Sequence, residues 1–388
     1  MMEKNRLTIF AKTKFWLVVL LFPLFCVGQE YLDLPNPTHF EAGVPRSKLV
    51  LVKEIPLDFN ENEFMANPIG ITANSKGMIY IFDSKLVRVF LFNNRYEYVT
   101  QFLEKGMAPS EILTLNGFSV RIYAGWNEKF YSNDCYSNKF IEFSESGKYL
   151  LDKRVNRNSK TLTPFFFVVD KHGYFYASST NGGIVDLMDT QWKLVHTYLK
   201  RDLNDHYIIY RPDVEKYYRT IVKRDGTKMG EGKSWLNPTP KNLTFDLLNN
   251  NYLFIFLHNS STVYLFNGKN LVRKFDVLID NILPTFKEDI TRSFNATKKR
   301  DPKIINYTYF PLFDSCIVDY DEPYFYLQYQ RWGKESMIYQ FSITGKLVRI
   351  ISLPPIPLVR LKAKRNGLFY AIAENTEGTF PVIYKKVD

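Results

Sequence analysis

Short apolar runs ending in an aromatic residue recur along this chain, each followed at a fixed distance by a second apolar run. The first runs are Gly77-Met-Ile-Tyr80, Glu128-Lys-Phe-Tyr131, Gly173-Tyr-Phe-Tyr176, Asn251-Tyr-Leu-Phe254, Pro323-Tyr-Phe-Tyr326 and Gly367-Leu-Phe-Tyr370. From Tyr80, Tyr131, Tyr176 and Phe254 the second run presents Phe92, Phe143, Met188 and Phe266, always twelve residues on. From Tyr326 the partner is Phe341, fifteen on, and from Tyr370 it is Tyr384, fourteen on. Aromatic and β-branched residues suit half-buried pleated surfaces. Six copies of one strand pair predict an all-β chain built from repeated small sheets.

The spacing of the copies gives the size of the unit. Tyr80 to Tyr131 is 51 residues, Tyr131 to Tyr176 is 45, and Tyr326 to Tyr370 is 44. A period near 45 is that of a four-stranded propeller blade. Tyr176 to Phe254 is 78 and Phe254 to Tyr326 is 72, each one blade plus an insertion. Neither interval holds a second aromatic pair of its own, which argues against a seventh blade. A β-sandwich also shows short, regularly spaced strands, but it does not require a constant offset of twelve.

Blade one shows four strands: Pro68–Thr72, Met78–Phe82, Val87–Phe92 and Tyr96–Phe102. Ser144-Glu-Ser-Gly147-Lys148 and Ser342-Ile-Thr-Gly345-Lys346 follow the third strand of their blades at one offset, and Asn267-Gly268-Lys269 is a shorter version. Glycine supplies the positive φ that such hairpins need. Blade six has only three strands, 359–363, 367–373 and 380–385, before the chain ends. The orphan run Ser47–Ile55 is expected to supply its fourth, closing a six-bladed β-propeller and hiding a sheet edge.

The two ends of the chain read differently. Lys4, Arg6, Lys12 and Lys14 precede an apolar run, Phe15 to Val27, and Cys26-Val27-Gly28 is a small-x-small site. This is the layout of a signal peptide over 1–28, and the run falls short of the roughly 20 residues of a membrane span. The mature chain is expected to carry no transmembrane domain and to be exported, periplasmic or extracellular. A lipid anchor at Cys26 is disfavoured, because Phe25 stands where a small residue is wanted. Residues 29–45 read as a flexible lead-in and 46–388 as the propeller. Loss of 1–28 takes four basic and one acidic residue from the 51 and 40 of the full chain, leaving 47 against 39, a net of +8. Cys135 and Cys316 remain, in blades on opposite sides of the ring, so no disulfide framework is expected.

Ile69-Gly-Ile-Thr72, Gly77-Met-Ile-Tyr-Ile-Phe-Asp83, Arg88-Val-Phe-Leu-Phe92 and the loop Gly106-Met-Ala-Pro-Ser-Glu111 carry a likeness. With them the chain resembles NHL-like six-bladed β-propellers of secreted or lipid-anchored bacterial proteins. The family's Gly-x-Gly-Pro-Gly-Glu-like loop is only partly matched, since Ala108 and Ser110 replace two glycines. The resemblance covers about 46–388 and implies a fold without naming a reaction.

Both long insertions join the last strand of one blade to the first of the next, which places them together at one mouth of the central channel. Residues 208–243 hold eight basic and four acidic side chains, and 283–310 six and three, so +7 of the mature +8 falls on them. Each insertion is expected to be partly helical. Thr285 and Glu288 have capping-box spacing ahead of the stripe Phe286, Ile290, Phe294, and Val214, Tyr217 or Tyr218, and Ile221 form a second stripe. The rim residues expected to bind are Arg211, Tyr217, Tyr218, Arg219, Lys223, Arg224, Trp235, Arg292 and Lys298. Aromatic faces stack on sugars or cations and arginine grips carboxylates, so the expected partner is an anionic or carbohydrate-like ligand or an acidic protein surface. Nucleic acid is not expected of an exported chain.

Catalytic motifs are absent: there is no Gly-x-Ser-x-Gly, His-Glu-x-x-His or Cys-x-x-Cys. Of five histidines only His258 is placed near the mouth, in the loop after the second strand of blade four. Asp83, Asp134, Asn259 and Glu374 stand at the tops of their blades and could offer oxygens to an axial calcium ion. The sequence therefore favours a non-enzymatic binding propeller that requires no cofactor. A metal-dependent hydrolase or lactonase with an axial calcium-type site is the competing reading.

Overall fold

A computed structural model describes residues 36–60, 63–113, 120–134, 139–154, 166–178, 184–199, 218–222, 228–233, 243–249, 251–258, 261–285, 288, 312–330, 336–353 and 358–388. Four antiparallel sheets of four consecutive strands form blades one to four, and one eight-stranded sheet holds blades five and six, the latter completed from the other end of the chain. Blade one comprises Pro68–Ala73, Ile79–Asp83, Arg88–Phe92 and Tyr98–Phe102. Blade two comprises Val120–Ala124, Lys129–Asp134, Lys139–Ser144 and Tyr149–Arg154. Blade three comprises Phe167–Val169, Phe175–Ser178, Val185–Met188 and Leu194–Tyr198. Blade four comprises Leu243–Leu248, Tyr252–Leu257, Thr262–Asn267 and Asn270–Asp276, and blade five Ser315–Val318, Tyr324–Tyr329, Met337–Ser342 and Leu347–Ser352. Blade six comprises Leu358–Arg365, Leu368–Glu374 and Thr379–Val387.

The twelve-residue offset is a register. The residue before each repeated aromatic lies opposite the partner: Ile79 faces Phe92, Phe130 faces Phe143, Phe175 faces Met188 and Leu253 faces Phe266. Phe325 faces Phe341 and Phe369 faces Tyr384 in the same way. Because neighbouring residues point to opposite faces of a strand, each blade feeds aromatic bulk to both sides. The third strand of blades one to five then pairs with its outer strand through a bulge at the partner residue, as between Leu91 and Phe92. Such a bulge adds the twist that fans the blades.

Ring closure follows the sequence expectation and adds to it. Arg46–Glu54 runs antiparallel to Thr379–Val387, from Lys48 opposite Val387 to Glu54 opposite Val382. The same strand also pairs in parallel with the outer strand of blade five, Arg46 to Lys48 against Ile350 to Ser352. Blades five and six therefore share one eight-stranded sheet. Residues 36–45, part of the expected flexible lead-in, are fastened to blades four and five. Thr38 and His39 donate their amides to Leu278 O, Asp280 N returns to His39 O, and the Tyr339 hydroxyl donates to Glu41 at 2.8 Å. Elsewhere the seam between blades six and one is held by Arg365 donating to Ala73 O at 3.1 Å and Asn366 to Asn74 O at 3.1 Å. A buried Lys364–Asp319 ion pair of 3.3 Å ties blade six to blade five.

Hairpins lock blades two, four and five to the blade before. Gly147 and Gly345 have φ of +82° and +83°, and a Cβ there would meet the rings of Phe102 and Phe275 on the outer strands of the preceding blades. Tyr80 donates to Glu145 O at 2.8 Å across the first of these seams, and Tyr198 donates to Gly268 O at 2.9 Å between blades three and four.

Two expectations are corrected. The first insertion contains a β-hairpin, Tyr218–Val222 paired with Lys228–Lys233, where the stripe ending at Ile221 predicted a helix. The β-branched run Thr220-Ile221-Val222 favours a strand over a helix there. In the second insertion Leu283, Pro284, Thr285 and Glu288 are helical. Thr285 therefore lies inside the turn and is not its N-cap; Pro284 suits the first turn, where its missing N–H costs nothing. The remaining residues of the proposed stripe lie outside the described residues.

Candidate functional site

The first strands of the six blades line the ring axis, and their registers define two levels. At the lower level, opposite the repeated aromatics, stand Thr72, Tyr123, Val168, Asp246, Ile317 and Ala363. Five of these are buried and Asp246 is partly so. One step towards the mouth stand Gly70, Arg121, Phe166, Thr244, Ser315 and Arg360, none of them buried. Among the described residues the lumen wall is buried at the lower level and keeps accessible surface at the upper one.

Contacts between non-neighbouring blades make the seal. Tyr123 of blade two donates to Asp246 of blade four at 3.3 Å, and Tyr320 beyond the inner strand of blade five donates to the same carboxylate at 2.7 Å. Trp126 packs on Tyr320 with ring centroids 5.2 Å apart, and those blades lie on opposite sides of the ring. The Arg365 guanidinium of blade six lies over both rings, 5.2 Å from Trp126 and 5.0 Å from Tyr320. Such contacts are possible only across the axis. Burial pushes the Asp246 carboxyl up to about 6, against the hydrogen bonds from Tyr320, Leu247 N and Tyr123. Burial also pushes the nearby Cys316 thiol well up; this cysteine is free and buried.

Above the seal the wall is cationic. Arg121 lies opposite Asn133 and Arg360 opposite Ile372, each two residues from its blade's repeated tyrosine, so the two arginines share a level. Arg121 bonds Val120 O at 3.0 Å and lies 5.5 Å over the Phe166 ring. Between the levels, the first strand of blade six carries a bulge from Leu361 to Ala363, and Lys362 is the extra residue. Lys362 keeps exposed surface. Yet burial within the ring, and then the charges of Arg360 and Arg121, bring its ammonium down to about 8. Solvent-accessible and enclosed at once, it sits in the channel. Among the described residues no carboxylate pairs with Arg360 or Lys362.

The rim residues expected from sequence are placed only in part. Arg211, Tyr217, Lys223, Arg224, Trp235, Arg292 and Lys298 lie outside the described residues, while Tyr218 and Arg219 lie on the strand Tyr218–Val222. Of the oxygen donors, Asn259 lies outside the described residues and Glu374 is exposed at a strand end. Asp134 is buried at the end of its strand. Asp83 accepts four backbone N–H groups, from Ala66 and Asn67 at 2.6 Å and from Lys85 and Leu86 at 2.8 Å. Among the described residues no three His, Cys, Asp or Glu side chains converge as metal ligands would. His258 is buried, bonded to Thr244 at 2.9 Å, and burial lowers its imidazole to about 4. The loop Gly106–Glu111 is structural: Glu111 folds back to accept Ala108 N at 2.8 Å, and buried Lys139 donates to the carbonyls of Ala108 and Glu111.

Sequence reasoning passed over Arg121, Arg360 and Lys362. A signal was present: the expected inner strand 359–363 alternates Val, Arg, Leu, Lys, Ala, and an inner strand meets water only in the channel.

Fold and channel together define this chain as a six-bladed β-propeller. A family model described as 6-bladed beta-propeller matches residues 45–224. No curated protein matches the chain. Among solved structures, a protein from Bacteroides fragilis described as exported is 12% identical, with TM-score 0.54 over 87% of this chain and 94% of that one. A member of the duf4221 family from Bacteroides vulgatus is 9% identical, with TM-score 0.53 over 89% of this chain and 99% of that one. At these identities the likeness concerns the fold alone. Virginiamycin B lyase from Staphylococcus aureus, 12% identical, superposes at TM-score 0.45 over 87% of this chain and 99% of that one, too loosely to bear on chemistry. Among the described residues no helix is long and apolar enough to cross a membrane.

Proposed function

We propose that this protein is an exported, NHL-like propeller that binds a small anionic ligand in the blind channel at its centre. The observation that carries this reading is the wall itself. Arg121, Arg360 and Lys362 stand above a floor of side chains joined across the axis, and Arg360 and Lys362 have no carboxylate partner among the described residues. Buried or enclosed charges without counter-ions are costly, so a carboxylate or phosphate entering the channel would relieve repulsion as well as gain bidentate hydrogen bonds. The two basic insertions, with the rim residues expected from sequence, would steer such a ligand to the mouth. A sugar acid fits the same chemistry, whereas a folded acidic protein could reach only the rim.

The competing reading is a metal-dependent hydrolase with an axial calcium-type site. It is weakened at Asp83, whose carboxylate is committed to backbone amides. Calorimetric titration with acetate, citrate, glucuronate and phosphate tests the binding reading. At least one anion should bind with unit stoichiometry, weaken with added salt, and lose about tenfold in affinity, or 1.4 kcal/mol, in Arg360→Gln. Equal affinity in that variant, or no binding by any anion, would overturn it.

A further inference from the structure

We infer that Lys362 is a nucleophilic amine that forms an imine with the carbonyl group of a 2-oxo acid whose carboxylate is held by Arg121 and Arg360. The inference rests on the anion-binding reading and adds a covalent step to it. Three features of the site lead there. First, Lys362 is the extra residue of a bulge, a device that turns a side chain out of the regular ladder and is over-represented beside active sites. Second, it stands one step below two arginines that share a level on blades two and six. A carboxylate gripped by the arginines presents the adjacent carbonyl carbon towards the amine. Third, the seal of Tyr123, Asp246, Trp126, Tyr320 and Arg365 closes the channel below, so the ligand's reactive end is confined.

The buried lysines Lys139 and Lys364 are engaged differently. Lys364 pairs with Asp319 at 3.3 Å, and Lys139 donates to two carbonyls. For Lys362, enclosure and the two flanking cations favour the neutral amine, and its ammonium stands at about 8. Compared with an ordinary lysine near 10.4, that gives on the order of a hundredfold more free amine at neutral pH. Desolvation and a neighbouring cation are how Schiff-base lysines are activated. The step balances without a co-reactant. The nitrogen lone pair attacks the carbonyl carbon, the oxygen takes one proton from the nitrogen and one from solvent and leaves as water, and nitrogen keeps its remaining proton in the protonated imine.

The test is reductive trapping on the full chain. Protein is incubated with pyruvate or 2-oxoglutarate, reduced with sodium borohydride, digested, and mapped by mass spectrometry. Lactate, equal in charge to pyruvate but without the carbonyl, is the competitor, and calorimetry follows binding of each probe in parallel. The expected result is an adduct concentrated on Lys362, at least about tenfold above exposed lysines such as Lys346 and Lys385. It should fall with excess lactate and be absent from Lys362→Arg, whose fold is checked by thermal denaturation. Binding of a 2-oxo acid without an adduct on Lys362 would overturn the imine and leave the anion site standing. Adducts spread evenly over surface lysines would also overturn it. Absence of both binding and adduct would overturn the imine and the anion site together.

Discussion

The hydroxyl of Tyr123 on the second blade donates to the carboxylate of Asp246 on the fourth, at 3.3 Å. A whole blade separates the two strands along the ring, so the bond spans the axis. With Tyr320 on the other oxygen of Asp246 and Arg365 over Tyr320 and Trp126, four blades meet at one point. These contacts give the channel a floor, above which Arg121 and Arg360 stand on the first strands of their blades.

The floor has a pH signature. Burial holds the Asp246 carboxyl at about 6, against 3.8 ordinarily. A raised acid stabilises the fold fully below its unfolded value and loses that contribution as pH rises through the folded value. Between pH 4 and pH 7 the wild type should therefore lose stability relative to Asp246→Asn, by about 1–2 kcal/mol after allowance for partial exposure. Denaturant titrations of both proteins across that range check it; parallel curves would contradict it.

His258 should give the opposite slope. Its imidazole is lowered by burial from 6.5 to about 4, so its contribution is present above pH 6.5 and lost as pH falls towards 4. In His258→Gln the decline in stability from pH 6.5 to 4 should be shallower than in the wild type, read from the same titrations.

The closing strand offers a paired comparison. Leu49 is 4% exposed and packs with Ile338, Ile351, Val382 and Tyr384, whereas Leu51 is 47% exposed. Leu49→Ala should cost about 2–4 kcal/mol and Leu51→Ala under about 1 kcal/mol. Equal costs in chemical denaturation would mean that the strand is not seated between blades five and six.

Gly147 and Gly345 test the seams. Both hold a left-handed φ, and a Cβ would approach Phe102 to 2.4 Å or Phe275 to 2.9 Å. Gly147→Ala and Gly345→Ala should each destabilise by about 1–3 kcal/mol. Gly268, with nothing within 4 Å of the added Cβ, should lose less on the same change. Thermal denaturation ranks the three.

The blades were legible because burial repeats: the same aromatic level recurs in each unit and leaves a mark in the sequence, and the closing strand left one as an apolar run without a blade of its own. The channel was less legible. Tyr123, Asp246 and Tyr320 meet through ring geometry, 74 to 123 residues apart from Asp246 in sequence, with no motif to announce them. Lys362 and Arg360 did leave a trace, as charges on an innermost strand, but the concentration of charge in the two insertions drew attention to the rim. The hairpin Tyr218–Val222 with Lys228–Lys233 was hidden because Tyr217, Tyr218 and Ile221 also fit a helical stripe. Local β-branching outweighed that period.

Anomalous diffraction from crystals soaked in bromide or selenate tests the cationic cup most directly. The account expects a strong peak on the ring axis among Arg121, Arg360 and Lys362, lost in the Arg360→Gln, Lys362→Gln double variant while the ring stays folded. Peaks confined to the outer surface, with the axis empty in the wild type, would contradict it.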